Sequence, residues 1–122
     1  MLQHIQPDGL FPSERLGFTQ VVTAGPGRLV FVSGQTACDR KGRPVGGDDV
    51  ATQAGAALEN LGTALAAAGA GPGDVTMLRL YLVGYTPAIA PAVGARVAQF
   101  FSGVKPPAST WVESRRCSIP TS

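Results

Sequence analysis

Between Val50 and Ala68 the apolar residues Val50, Ala54, Leu58, Leu61, Leu65 and Ala68 recur at steps of four, four, three, four and three. A backbone with 3.6 residues per turn places such positions on one face, so the stretch predicts an amphipathic α-helix. Asp48 or Asp49 supplies an N-cap and an acidic first turn, and Gly69 supplies the stop. A helix of this length with a single apolar face cannot stand alone in water and requires another layer to cover it. The chain has 122 residues and a mass of 12.5 kDa, which gives room for one domain, residues 1–122, and no second core.

The covering layer is read from the strand-forming segments. Gly17 to Thr23 alternates, Gly25-Pro26-Gly27 supplies a turn, and Arg28 to Gln35 follows with the run Leu29-Val30-Phe31-Val32. This pattern predicts a hairpin whose second strand is covered on both faces. Asp74 to Val83 predicts a strand with Leu78, Leu80 and Leu82 on one side and Met77, Arg79, Tyr81 and Val83 on the other. The leucine side should meet the helices, and the mixed side suits a subunit contact. Pro91 to Ser102 predicts a second helix with Val93, Val97 and Phe100 or Phe101 inward, and Ser109 to Glu113 a further strand after Pro106-Pro107. The order is β-β-α-β-α-β, an α+β layer with both helices on one sheet face.

Composition removes several functional classes. No apolar run approaches the roughly 18 residues that a membrane span needs. The N-terminus carries no cationic segment ahead of an apolar one, so no signal peptide is read and a cytoplasmic location is the expectation. The formal charge is +2, and the adjacent Arg115 and Arg116 supply too few phosphate contacts for a nucleic-acid partner. His4 is the one histidine, read as a surface or disordered residue. With it alone beside Cys38 and Cys117, neither a zinc site nor a histidine-based triad can be assembled, and the two thiols read as packing residues.

Several segments together resemble the RidA/YjgF family, also labelled endoribonuclease L-PSP or translation-initiation inhibitor. They are Gly17-Phe18-Thr19-Gln20, Leu29 to Gln35, Val45-Gly46-Gly47-Asp48, Gln53 with Leu58-Glu59-Asn60-Leu61, Ala67-Ala68-Gly69, and Phe100-Phe101 before Pro106-Pro107-Ala108. Their order and spacing run from about residue 5 to residue 113. The resemblance implies a chorismate-mutase-like α+β fold, a homotrimer with a central barrel, and ligand clefts between neighbouring subunits. It also implies hydrolysis of 2-imino or 2-enamino acids to 2-keto acids and ammonia with no cofactor and no metal. In that chemistry a forked guanidinium holds the substrate carboxylate, and a water placed by a carboxylate attacks the imine carbon.

This chain departs from the family pattern at the residues that matter most. Where the proline-rich turn of active members leads into an arginine, Pro107-Ala108 leads into Ser109. A neutral hydroxyl cannot replace two charge-assisted bonds, a loss of several kcal/mol or roughly a thousandfold in affinity. The pocket tyrosine is Phe18, the asparagine of the second helix aligns with Gly94, and Trp111 stands at a position that is usually small. Arg79 and Arg96 read as interface or solvated charges and not as substitutes for the missing anchor.

The expectation is therefore a RidA-like protein that binds a small, largely apolar molecule in an inter-subunit cleft and lacks the standard 2-imino acid deaminase activity. The alternative is an imine or enamine deaminase with a shifted substrate range. No catalytic residue is assigned; the candidate ligand-binding residues are Phe18, Ser33, Gly34, Gln35, Ser109 and Trp111. Ser33-Gly34-Gln35 has a plainer reading as a strand end, and Trp111 as a core or interface aromatic. A ribonuclease reading finds no histidine pair.

The resemblance stops after Trp111-Val112-Glu113, and Ser114 to Ser122 does not continue into the family's final strand. Two readings of this tail stand: a genuine divergent terminus, or a single-nucleotide loss. Back-translation with GC-rich codons and one restored base yields Val-Ala-Ala-Leu-Phe-Asp-Pro-Asp-Val, a family-like continuation. The coding DNA separates them. The frameshift reading requires that one inserted base bring codons 114 to 122 into the family frame with strand-coding sequence downstream, and a gene in which it does not refutes that reading.

Overall fold

The computed structural model describes residues 1–114; Arg115 to Ser122, which include Cys117, the paired arginines and most of the tail, lie outside them. Four strands and two helices follow in the order β1 (Leu2–Ile5), β2 (Val21–Ala24), α1 (Val50–Ala67), β3 (Met77–Val83), α2 (Ala90–Phe100) and β4 (Ala108–Ser114). The order of elements is the expected β-β-α-β-α-β of an α+β fold, but its first two strands are not the pair expected.

Helix α1 begins and ends as its sequence dictates. Asp49 is its N-cap, with a carboxylate oxygen accepting from the Thr52 backbone N–H at 3.1 Å and from the Thr52 hydroxyl. At the other end Gly69 takes φ +76°, the Ala70 N–H reaches Leu65 O at 2.9 Å and the Gly69 N–H reaches Ala66 O at 3.0 Å. That pair of bonds is a Schellman closure, for which a residue without Cβ is favoured at the left-handed position.

β3 and α2 form a crossover to β4, which lies parallel to β3 with Leu78 opposite Ser109, Leu80 opposite Trp111 and Leu82 opposite Glu113. The leucines are half-buried, whereas Met77, Arg79, Tyr81 and Val83 are exposed, so the alternation reads out as the sequence indicates. Against the leucine face packs a core of Leu58 from α1 with Val93, Val97 and Phe101 from α2 and its end. Val93 is fully buried. Both helices therefore contribute to one apolar layer over the β3–β4 pair.

The first third of the chain is built differently from the expected hairpin. β2 spans only Val21–Ala24, and its antiparallel partner is β1, with Leu2 opposite Ala24 and Ile5 opposite Val21. The sheet is thus two separate two-stranded pieces, β1–β2 and β3–β4. His4 lies in a strand, half-buried, and its Nε2 is buried without a hydrogen-bond partner. Residues 28–35 belong to no strand, and Leu29 is 74% and Phe31 88% exposed. The covered strand expected for this run is absent because no described segment lies beside it to complete a ladder; among the described residues its Leu29 to Val32 main chain makes no backbone hydrogen bond.

The cap gives a test of the α1 boundary. The Thr52 side-chain bond, then the Thr52 backbone bond and the Arg96 charge, hold the Asp49 carboxyl below its ordinary value. Its stabilising contribution is therefore present above the unfolded pKa of about 3.9 and is lost as pH falls through the lower folded value. Asp49→Ala should lower Tm at neutral pH, and the difference from the parent should shrink on acidification below about pH 4, as read by thermal melts across that range.

Candidate functional site

The six candidate residues fall on three elements that the fold does not treat alike. Phe18 follows Gly17, which takes φ +92° at the end of a short 3-10 turn. Its ring is half-buried and edge-on to Phe11, with centroids 6.2 Å apart, and its carbonyl accepts from Ser13 Oγ at 2.8 Å. The next residue, Thr19, is buried and ties this segment to the proline turn: its N–H donates to Pro107 O at 2.9 Å and its hydroxyl to Pro106 O. Phe18 is thereby anchored beside the turn that launches β4 and carries Ser109 two residues later.

Ser109 and Trp111 share the helix-facing side of β4, since their register partners are Leu78 and Leu80. Ser109 Oγ is buried and has no hydrogen-bond partner. A buried hydroxyl without a partner costs about 1–3 kcal/mol, so this atom is an uncompensated polar group on the helix-facing side of β4. Trp111 is half-buried and packs on the core cluster, and a Cβ placed on Gly94 of α2 would meet its Cη2 at 3.8 Å. The indole lies at contact distance from the glycine, with room for a methyl between them.

Ser33, Gly34 and Gln35 are exposed, and the Gln35 amide donates only to Ser33 O at 3.1 Å. No described hydrogen bond joins them to Phe18, Ser109 or Trp111. The loop that follows is held firmly, however, because Asn60 on α1 donates to Thr36 O at 2.9 Å and to Cys38 O at 3.0 Å. Asp39 closes the same loop by accepting from Lys41 N, Arg43 N and Arg43 Nε. The Arg43 backbone bond chiefly holds the Asp39 carboxyl below the usual range, with the Lys41 bond and the Arg43 side chain adding to it against the opposing effect of desolvation. Asn60 is thus a positioning residue for the segment. The sequence shows it only within Leu58-Glu59-Asn60-Leu61, where its position on the loop side of the helix carries no signal of its own.

A model of the endoribonuclease L-PSP family matches residues 12–121. The chain belongs to that family, the RidA/YjgF group. Its structure is similar to that of YyfB, a Rid-family protein of unknown function from Yersinia pestis, at 34% identity over 98% of this chain and 90% of that one, with a TM-score of 0.93. It is also similar to Rv2704 of Mycobacterium tuberculosis, a member of the YjgF/YER057c/UK114 family, at 30% identity over 99% and 91%, with a TM-score of 0.59. No curated protein matches.

In this RidA-family chain, Arg79 on β3 and Arg96 on α2 lie on elements packed with β4. Arg79 pairs in register with Thr110 and so projects from the face opposite Ser109. Arg96 lies against α1, with Nη1 at 3.1 Å from a Cβ built on Gly55. Neither faces the Ser109 hydroxyl. Among the described residues no group of three or more His, Cys, Asp or Glu side chains is arranged to hold a metal, and no helix is long and apolar enough to cross a membrane.

A cavity of about 650 Å³ opens at the ends of β3 and β4, lined by Val83, Gly84, Glu113 and Ser114. Another, of about 210 Å³, lies between the helices. None of the six candidate residues lines either one. The Trp111–Gly94 contact yields the prediction for this region. Because the added methyl would meet the indole at ordinary contact distance and an interior helix glycine costs about 1 kcal/mol relative to alanine, Gly94→Ala should stabilise the protein by about 0.5–1 kcal/mol in denaturant melts.

Proposed function

We propose that this RidA-family member binds a small, largely apolar molecule in a cleft between the subunits of a homotrimer and does not carry out the standard 2-imino acid deamination. The observation that carries the reading is the Ser109 Oγ, buried and unpartnered, at the residue that the resemblance sets in the place of the family arginine. A guanidinium would there offer a charged fork to a carboxylate, whereas a hydroxyl offers a single neutral bond. Trp111 and Phe18 make the same region apolar, which suits a ligand with little charge.

Assembly is supported by the face of β3 and β4 turned away from the helices. Met77, Tyr81, Val83 and Val112 are 51%, 55%, 53% and 39% exposed in the single chain, a grouping of apolar side chains that a monomer seldom leaves in water. Burial against neighbouring copies would remove them from solvent. The family description names an endoribonuclease. Acid–base cleavage of a phosphodiester by histidines calls for a pair, and the sequence holds His4 alone, with Nε2 buried. That favours the small-molecule reading.

The decisive assay generates 2-iminobutanoate or 2-aminoacrylate in situ and follows keto-acid release. The expected result is no acceleration above the spontaneous rate, and a rate comparable to that of an arginine-bearing family member would overturn the reading. Sedimentation at micromolar concentration should give three times the 12.5 kDa chain mass, and a species at 12.5 kDa would contradict the inter-subunit cleft.

A further inference from the structure

The cavity between α1 and α2 is lined by Gly55, Leu58, Glu59, Arg96, Gln99 and Phe100 and has a volume of about 210 Å³. It exists because two small residues of α1 meet two large ones of α2. Gly55 and Gly62 lie two turns apart, and Arg96 and Phe100 one turn apart. A Cβ on Gly55 would stand 3.1 Å from Arg96 Nη1, and one on Gly62 would stand 3.4 Å from Phe100 Cε1. The guanidinium and the ring therefore both lie close on the α1 backbone, and the cavity forms beside Leu58, 9% exposed, and Glu59.

The charges at this cavity are unpaired. Arg96 has no carboxylate within 4.0 Å and no hydrogen bond among the described residues, and Asp49 feels it only as a nearby charge. The Glu59 carboxylate likewise has no ion-pair partner among the described residues. A cation, an anion and the Gln99 amide, all three solvent-exposed, thus border one open groove that Leu58 and Phe100 line with apolar surface. Opposite charges that edge one space without closing on each other are matched by a ligand carrying both signs. A carboxylate alone would face Glu59 as a like charge, and an amine alone would face Arg96.

We propose that this inter-helix cavity is a binding site for an apolar α-amino acid, with its carboxylate on Arg96 and Gln99, its ammonium on Glu59, and its aliphatic side chain against Leu58 and Phe100. The site is separate from the residues around Ser109 and does not depend on what the inter-subunit cleft holds.

The test is an NMR titration of the amide resonances of the full chain with L-leucine, 4-methylpentanoate and 3-methylbutylamine, each to about 10 mM, a concentration that detects a millimolar Kd. Leucine should shift amides of residues 55–62 and 95–100, with about tenfold weaker effects from the two singly charged analogues. Arg96→Gln and Glu59→Gln should each weaken leucine binding by about tenfold. Gly55→Ala should abolish it while leaving Tm unchanged or raised, because the new methyl displaces the guanidinium and improves helix propensity. The proposal is overturned by any of three results: no shifts with leucine, equal shifts with leucine and 4-methylpentanoate, or leucine shifts that survive all three substitutions.

Discussion

The closure of α2 onto the leucine face of β3 and β4 is the contact on which the remaining structure depends. Val93, Val97 and Phe101 stand over Leu78, Leu80 and Leu82, and Leu58 brings α1 into the same apolar layer. A fully buried residue such as Val93 draws its stabilisation from desolvated area and dense packing, about 1.5–3 kcal/mol for a side chain of this kind. Because β4 is held parallel to β3 by the crossover through α2, this packing also fixes which residues of β4 face inward. Ser109 and Trp111 are inward for that reason, and Thr110 and Val112 are outward.

The parts of the fold legible in the sequence are those where local pattern and tertiary need agree. The stripe from Val50 to Ala68, capped by Asp49 and stopped by Gly69, needs no knowledge of its neighbours. The alternation in Met77–Val83 reads equally well, since one face is covered and the other is not. The run Leu29-Val30-Phe31-Val32 is the counterexample. Its composition favours a strand, yet strand formation is completed only by a partner, and composition says nothing about whether one lies alongside. β1 was illegible for a related reason: four residues with no strong β-former cluster acquire their conformation from pairing with Val21–Ala24.

At the candidate site the resemblance assigns Phe18, Ser109 and Trp111 to one pocket, and the Thr19 bonds to Pro106 and Pro107 tie the segment of Phe18 to the turn that precedes β4. Ser33-Gly34-Gln35 was equally visible as a motif, but its place relative to the others depends on the unladdered segment that carries it. Asn60 escaped notice because its two bonds reach carbonyls more than twenty residues away, a relation no local window contains. The inter-helix cavity was invisible because it arises where Gly55 and Gly62 happen to face Arg96 and Phe100 across two helices.

Trp111 and Gly94, seventeen residues apart in the sequence, meet in the fold. The indole rests on the helix at the point where a side chain has been given up. A methyl at 94 still clears the indole, but a longer side chain there would press on it, and a small residue at 111 would leave bare helix backbone and an empty volume. The two positions are therefore coupled: what one can hold is decided by the size of the other, and effects of substitutions at the two should not add.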